Sequence, residues 1–321
     1  MLRVAILSTS QPHRLSQPRS CASQSEGAAE LVLPPLRFDK PLQRGAVHFV
    51  STPIGNLEDI TLRALRTLRE ADVIATEDPK VTAPLLRRLG IERKELPLVT
   101  HNDNNLERSV PKLVEYAEQG LLVAVVSDAG TPAISDPGLG LAAACATREV
   151  LNPNPNRNPN PDPHPHPHPS PNPSPNPSPN PDPSPHEVPT VPVPGPCAAI
   201  AAVSVSGFDC SEFLYVGFVS RGSAEKAKAR RRLREIASEA RPVVLYEAPH
   251  RLLATLAELS AAGAGARGCF CAREVTKRHE ELTRGTVDSV RCRTWPASLP
   301  RALPPCTLGG LDGGGGSKGQ L

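Results

Sequence analysis

Leu121-Leu122-Val123-Ala124-Val125-Val126 runs directly into Ser127-Asp128-Ala129-Gly130-Thr131-Pro132-Ala133-Ile134-Ser135-Asp136-Pro137-Gly138. A short apolar run, rich in Val and closed by turn formers, predicts a strand buried on both faces. Such strands belong to parallel sheets, whose ligands sit just beyond the carboxyl ends of the strands. The loop that follows carries two carboxylates, two prolines and two glycines. Gly130 and Gly138 permit positive φ or close backbone approach, and Pro132 and Pro137 hold φ near about −65°. Two readings fit these residues: a rigid connection in which Asp136 caps the next helix, or a loop that cradles a ligand.

Upstream, Val47-His48-Phe49-Val50 predicts a strand and Ser51-Thr52-Pro53-Ile54-Gly55-Asn56 a Pro/Gly loop. Asp59 is expected to cap a helix with Leu62, Leu65 and Leu68 on one face and Arg63, Arg66 and Arg69 one step round. Val73-Ile74-Ala75 is the next strand, closed by Thr76-Glu77-Asp78-Pro79. Strand, loop, helix and strand in that order form a right-handed parallel βαβ unit. Further helices are expected over 83–89 and 106–119, ended by Gly90 and Gly120, with a polar loop over 100–105 between them. A small-residue helix over 139–147 follows the opening loop.

The regular pattern then stops. Of 38 prolines in 321 residues, sixteen fall between Pro153 and Pro185, alternating with Asn, His, Ser and Asp. Proline lacks a backbone donor and fixes φ, so this tract is polyproline-like or disordered and joins no sheet. His164, His166 and His168 belong to that repeat and read as repeat units, not as metal ligands. No metal site is expected elsewhere. The eight cysteines (Cys21, Cys145, Cys197, Cys210, Cys269, Cys271, Cys292, Cys306) form no CxxC pair and read as reduced thiols, with Cys269 and Cys271 on one face of a strand. No apolar run is long enough to cross a bilayer. A net charge of +3 does not by itself declare a nucleic-acid partner.

Alternation of strand and helix resumes after the tract: strands over 213–219, 243–246 and 268–272, helices over 197–206, 223–240 and 250–262. The longest helix carries Lys226, Lys228, Arg230, Arg231, Arg232 and Arg234, either a solvated face or a phosphate-contacting patch. Two polar clusters, Tyr246-Glu247-Ala248-Pro249-His250-Arg251 and 273–281, are placed at the carboxyl edge of a second sheet. The expected layout is a disordered N-terminus over 1–45, an α/β domain over 46–150 completed by a strand at 190–194, a low-complexity insertion over 151–189, a second α/β domain over 195–290, and a structureless tail over 291–321. The first 25 residues lack Asp and Glu and contain Arg3, Arg14 and Arg19, the composition of an organelle transit peptide, the chloroplast favoured over the mitochondrion.

Residues 49–61, Ala75-Thr76-Glu77-Asp78, 127–138, Val193-Pro194-Gly195-Pro196, Tyr246-Glu247-Ala248-Pro249-His250-Arg251 and Arg273-Glu274-Val275-Thr276-Lys277 together resemble the ribosomal RNA small subunit methyltransferase I family of the tetrapyrrole methylase superfamily. The resemblance covers roughly 46–150 and 190–289, in the family's order. It implies two α/β domains with S-adenosylmethionine in the cleft between them, and a homodimer. It also implies 2′-O-methylation of a cytidine ribose in small-subunit rRNA, with the free rRNA or a 30S-type subunit as partner. On the matching positions, Pro53, Ile54 and Gly55 line the first loop. Ser127, Asp128, Ala129, Gly130, Thr131 and Pro132 hold the methionine part of the cofactor, and Pro194, Gly195, Pro196, Cys197 and Ala198 close the pocket. The candidate bases for a ribose hydroxyl are Glu77, Asp78, Asp136, His250 and Glu280, among which the sequence does not choose. Arg221, Lys226, Arg230, Arg231 and Arg232 are the candidate RNA contacts.

The chain departs from the family pattern at Pro79-Lys80, at Cys197, in the long insertion, and in lacking a final apolar strand after 287–290, which implies an incomplete second sheet. Two alternatives follow: an RNA-binding or ribosome-assembly homologue with impaired catalysis, and a methylase of a small tetrapyrrole-type substrate. The Ser-Thr-Pro-Ile-Gly-Asn first loop and the basic helix argue against the second.

Overall fold

The computed structural model describes residues 3–9, 40–92, 95–146, 188–219 and 226–293. The expectations for 151–187, for 294–321 and for Arg221 lie outside the described residues. The chain divides into two compact units, one of Arg19–Cys197 and one combining Met1–Pro18 with Ala198–Leu321.

The first strand in the chain, β1 (Arg3–Ser8), belongs to the second unit. The first unit holds β2 (Ala46–Val50), α1 (Leu62–Glu70), β3 (Val73–Thr76), α2 (Pro79–Arg88), β4 (Leu98–Thr100), α3 (Leu106–Glu118), β5 (Leu122–Val126), α4 (Leu139–Ala146) and β6 (Thr190–Val193). Its sheet runs β4-β3-β5-β2-β6, parallel throughout. Every residue of β3 and β5 is buried, as the unbroken apolar runs require of strands covered on both faces. Parallel pairing brings the carboxyl ends of β2, β3, β5 and β6 to one edge, so Ser51, Glu77, Ser127 and Pro194 emerge together.

Local chemistry moves three boundaries. Thr61, not Asp59, caps α1, its hydroxyl accepting from the Ala64 N–H at 3.1 Å, while Asp59 closes a 3-10 turn opened by Asn56. Asp78 caps α2 through the Lys80 N–H (2.8 Å) with Pro79 in the first helical position, so this helix starts four residues before its expected beginning. Strand β4 takes part of the polar segment expected as loop. The ends of the long insertion meet, because the Val188 N–H donates to the Cys145 carbonyl at 3.0 Å.

The second unit holds α5 (Ala198–Val205), β7 (Leu214–Phe218), α6 (Lys226–Ser238), β8 (Val243–Glu247), α7 (Leu252–Leu259), β9 (Gly268–Arg273), β10 (Glu281–Thr286) and α8 (Val287–Cys292). Its sheet is mixed, in the order β10-β9-β1-β8-β7. Strand β1 is central, antiparallel to β8 on one side and β9 on the other, with Ile6 opposite Val244 and Phe270. Val4, Ala5, Ile6 and Leu7 are all buried. This corrects the expectation of a structureless, transit-peptide N-terminus for residues 3–8. An acid-free composition concealed four consecutive apolar residues that fill a covered strand position. Among the described residues the second sheet has five strands with β1 at its centre, and the expectation of a missing strand after 287–290 falls on residues outside those described.

Strand β10 was not expected, because only Thr283 of its six residues is buried and no alternation marks it. Cys269 and Cys271 lie on one face with their Sγ atoms 3.9 Å apart. Cys145, Cys197, Cys210, Cys269 and Cys271 carry free thiols, but Cys292 is disulfide-bonded, a departure from the all-thiol expectation.

Candidate active site

Three Pro/Gly loops interlock at the carboxyl edge of the first sheet. Thr52 and Gly130 exchange backbone hydrogen bonds in both directions, at 2.8 and 3.1 Å, which ties the loop after β2 to the loop after β5. The Thr131 hydroxyl donates to the Pro196 carbonyl at 3.0 Å and lies 3.0 Å from the Ser51 hydroxyl, joining the loop after β6 to both. Thr61 adds a bond to the Pro194 carbonyl at 3.3 Å. Glycine is needed at two of these contacts. A Cβ on Gly195 would stand 2.9 Å from the Ser51 Cβ, and Gly130 has φ 97° with its Cβ position facing Ile54 and the Pro196 carbonyl.

The opening loop is also strained in a way composition did not mark. Ala133 and Ser135 take left-handed φ values of 67° and 62°, which L-residues adopt at a cost. The Ala133 N–H donates to the Pro137 carbonyl, and Gly138 packs on Ala133 and the Phe49 ring. Phe49, Ser51, Thr131, Pro132, Ala133 and Gly195 are among the residues lining a recess of about 530 Å³ at this edge. Pro53 and Pro132 are buried, Ile54, Asp128 and Thr131 half-buried, and Gly55 and Ala129 exposed. Cys197 is half-buried, and Ala198 is buried as the first residue of α5. Tyr246 has a role that its motif did not reveal: its hydroxyl accepts the Ala199 N–H at 3.1 Å, at the start of that helix.

The candidate bases separate. Glu77, Asp128 and Asp136 face one another at the first sheet's edge. Burial raises the Glu77 carboxyl above its ordinary range, and the charges of Asp128 and then Asp136 raise it further. Burial likewise lifts Asp128, with the Asp78 N–H opposing at 3.2 Å. Asp136 is pushed up to about 6, mainly by burial, with the Ser127 hydroxyl opposing and Asp128 adding to the rise. Asp78 is engaged as the α2 cap. In the second unit, His250 is exposed in the turn before α7, and the exposed Glu280 accepts the Thr276 N–H at 2.7 Å.

The buried side of α6 is Ala229, Leu233 and Ile236, which leaves Arg230, Arg231 and Arg232 exposed. Arg231 and Arg232 share Glu235, at 3.7 and 3.0 Å. At the carboxyl edge of the second sheet, Glu274 and Thr276 carry φ of 52° and 66°, and the Glu274 Oε1 is buried without a partner among the described residues. Among the described residues, no cluster of His, Cys, Asp and Glu could hold a metal ion.

A parallel sheet whose edge carries interlocked Pro/Gly loops, followed by a mixed α/β unit, defines a class: the chain belongs to the tetrapyrrole (corrin/porphyrin) methylases, which it matches over 46–151 and 184–291. These are S-adenosylmethionine-dependent methyltransferases. The described residues fit that cofactor, with a backbone cradle that tolerates no Cβ at Gly195 and a carboxylate group that complements a sulfonium and an ammonium. The chain is 38% identical over 243 residues to ribosomal RNA small subunit methyltransferase I of Thermotoga maritima, covering 76% of this chain and 89% of that one. It is 35% identical over 245 residues to the protein of the same name from Synechocystis, covering 76% and 72%. The fold is that of the methyltransferase CobJ, with a TM-score of 0.50 at 20% identity over 76% of this chain and 87% of that one.

Proposed function

We propose that this chain methylates a cytidine ribose 2′-hydroxyl in small-subunit rRNA of an organelle ribosome, acting as a homodimer. The observation that carries the reading is the three-way lock of Thr52, Gly130 and Thr131 with the Pro196 carbonyl, which forms a rigid cradle beside three carboxylates. Bound S-adenosylmethionine supplies an electrophilic methyl on a sulfonium. The chain's own residues position and deprotonate. Ser127, Asp128, Ala129, Gly130, Thr131 and Pro132 hold the methionine part, Pro53, Ile54 and Gly55 line the first loop, and Pro194, Gly195, Pro196, Cys197 and Ala198 close the pocket. Rigid alignment of reacting groups can supply about 7–11 kcal/mol of a barrier. Asp136 accepts the ribose hydroxyl proton, because a carboxylate lifted toward neutrality is a better proton acceptor than an ordinary one.

Arg230, Arg231 and Arg232, with Arg221 and Lys226, hold RNA phosphates without reading bases. The rRNA substrate is supported by the names of the bacterial and cyanobacterial relatives. An organellar destination is supported by the cyanobacterial relative. In that reading import leaves Arg3–Ser8 in the folded chain.

The test is incubation of the purified chain with methyl-labelled cofactor and small-subunit rRNA or 30S-type subunits. Label in a cytidine ribose is expected. Label in a base, or none, overturns the proposal. Charge reversal of Arg230, Arg231 and Arg232 to Glu is expected to weaken RNA use while leaving cofactor binding by calorimetry unchanged.

A further inference from the structure

Glu247 ends β8 with its side chain fully buried, yet it is a carboxylate. Its Oε1 accepts the Ala248 N–H and the Arg251 Nε–H, both at 2.8 Å, and its Oε2 accepts the Thr255 hydroxyl at 2.5 Å. Thr255 stands on α7 and also donates to the Arg251 carbonyl at 3.2 Å. Backbone, strand and helix thus all fix one carboxylate, and that carboxylate fixes one guanidinium by its inner nitrogen.

Arg251 is about one-third exposed at 32%, and its two Nη groups make no hydrogen bond or ion pair among the described residues. A guanidinium held by Nε presents its outer fork in a set direction, the geometry that meets a phosphate through two parallel bonds. The neighbouring edge is arranged differently. Arg273, at the end of β9, is taken by Glu281 at 3.1 Å, and Lys277 lies 3.8 Å from Glu274. Arg273 is neutralised from outside by the more exposed Glu281, whereas the Arg251 carboxylate, like that of Glu274 beneath Lys277, lies under its cation and leaves the outward face open. A buried ion pair contributes little net stability compared with an apolar pair of the same size. Its value here is orientation.

We propose that Arg251 binds a phosphodiester of the RNA substrate and that Glu247 is the positioning residue that aims it. The site belongs to the second unit and lies in the turn between β8 and α7, apart from the basic face of α6. It rests on the reading of the substrate as RNA.

The experiment measures binding of a small-subunit rRNA fragment across a salt series, elution from immobilised heparin as an RNA-independent polyanion, and methyl transfer kinetics. For R251A we expect affinity to fall about five- to ten-fold at low salt and the log–log salt slope to drop by about one. The KM for RNA should rise with kcat kept, cofactor affinity should be unchanged, and elution from heparin should come earlier. R251K should recover the slope but only part of the affinity, because it restores charge and not the fork. E247Q, which keeps the shape and loses the charge, should shift KM in the same direction as R251A. Wild-type slope and heparin elution in a folded R251A overturn the site. Loss of cofactor binding and thermal stability together, with no change in slope, makes the pair structural and overturns it too. A wild-type chain that ignores rRNA yet shows Arg251-dependent heparin elution keeps the anion site and overturns the substrate reading instead.

Discussion

Asp136 sits in a loop that holds Ala133 and Ser135 in left-handed conformations on its amino side, and burial carries its carboxyl from an ordinary 3.8 up to about 6. A carboxyl that binds its proton more tightly in the folded chain than in the unfolded one stabilises the fold at low pH. That contribution is full below about 3.8 and is lost as pH rises through about 6. The wild type should therefore lose melting temperature between pH 4 and 6, and Asp136→Asn should flatten that fall, as read by thermal melts across the window. Methyl transfer should behave the opposite way. It should rise with pH through about 6 in the wild type, and D136N should lose about 10²–10⁴-fold in kcat with its cofactor affinity kept. A D136N enzyme with wild-type kcat removes Asp136 as the base. Glu77 and Asp128 were legible as carboxylates at strand ends. Their mutual influence was not, because it arises only when β3 and β5 lie side by side.

At the scale of elements, β1 carries the strongest prediction. Leu7 is fully buried and pairs with Val243 and Cys269, so Leu7→Ala should cost about 2–5 kcal/mol in the denaturation transition of the second unit. Deleting residues 1–9 should abolish that transition while the parallel sheet of the first unit persists, which amide exchange would resolve unit by unit. A deletion variant with an unchanged second transition overturns the structural role of β1. The run Val4-Ala5-Ile6-Leu7 was readable as apolar, but its partners lie more than 230 residues away along the chain and no local pattern names them. Strand β10 shows the converse. Its sequence is polar, and it forms a strand because the β9 edge offers it a ladder. Strands β3 and β5 of the first unit needed no such help, since their continuous apolar runs are those of strands covered on both faces.

Across the whole molecule, the long Pro-rich insertion leaves from Cys145 and returns to Val188 within one hydrogen bond. The closure of its ends is therefore short, and lengthening a closed loop costs little. Replacing 151–185 with a linker of about five residues is about three halvings in length, and it should raise the stability of the first unit by no more than about 2 kcal/mol. Methyl transfer should be unchanged. A loss of activity on excision, with the melt intact, would give the tract a function of its own.

The sequence by itself determined the parallel sheet, the three Pro/Gly loops at its edge and the family, because each depends on short-range pattern: apolar runs, residues with restricted φ, and motifs in order. Only the tertiary structure decided which strand completes the second sheet and which carboxylates act on one another. It also showed that Gly195 must be glycine, and that the Arg251 Nε–H donates to a buried Glu247. Those are contacts between distant segments. Their energies depend on burial and on separations of a few ångströms, which a linear pattern does not contain. The twelve residues after β5 show both: their composition marked a candidate site, and only the structure showed that they bond to Thr52 and to the Pro196 carbonyl.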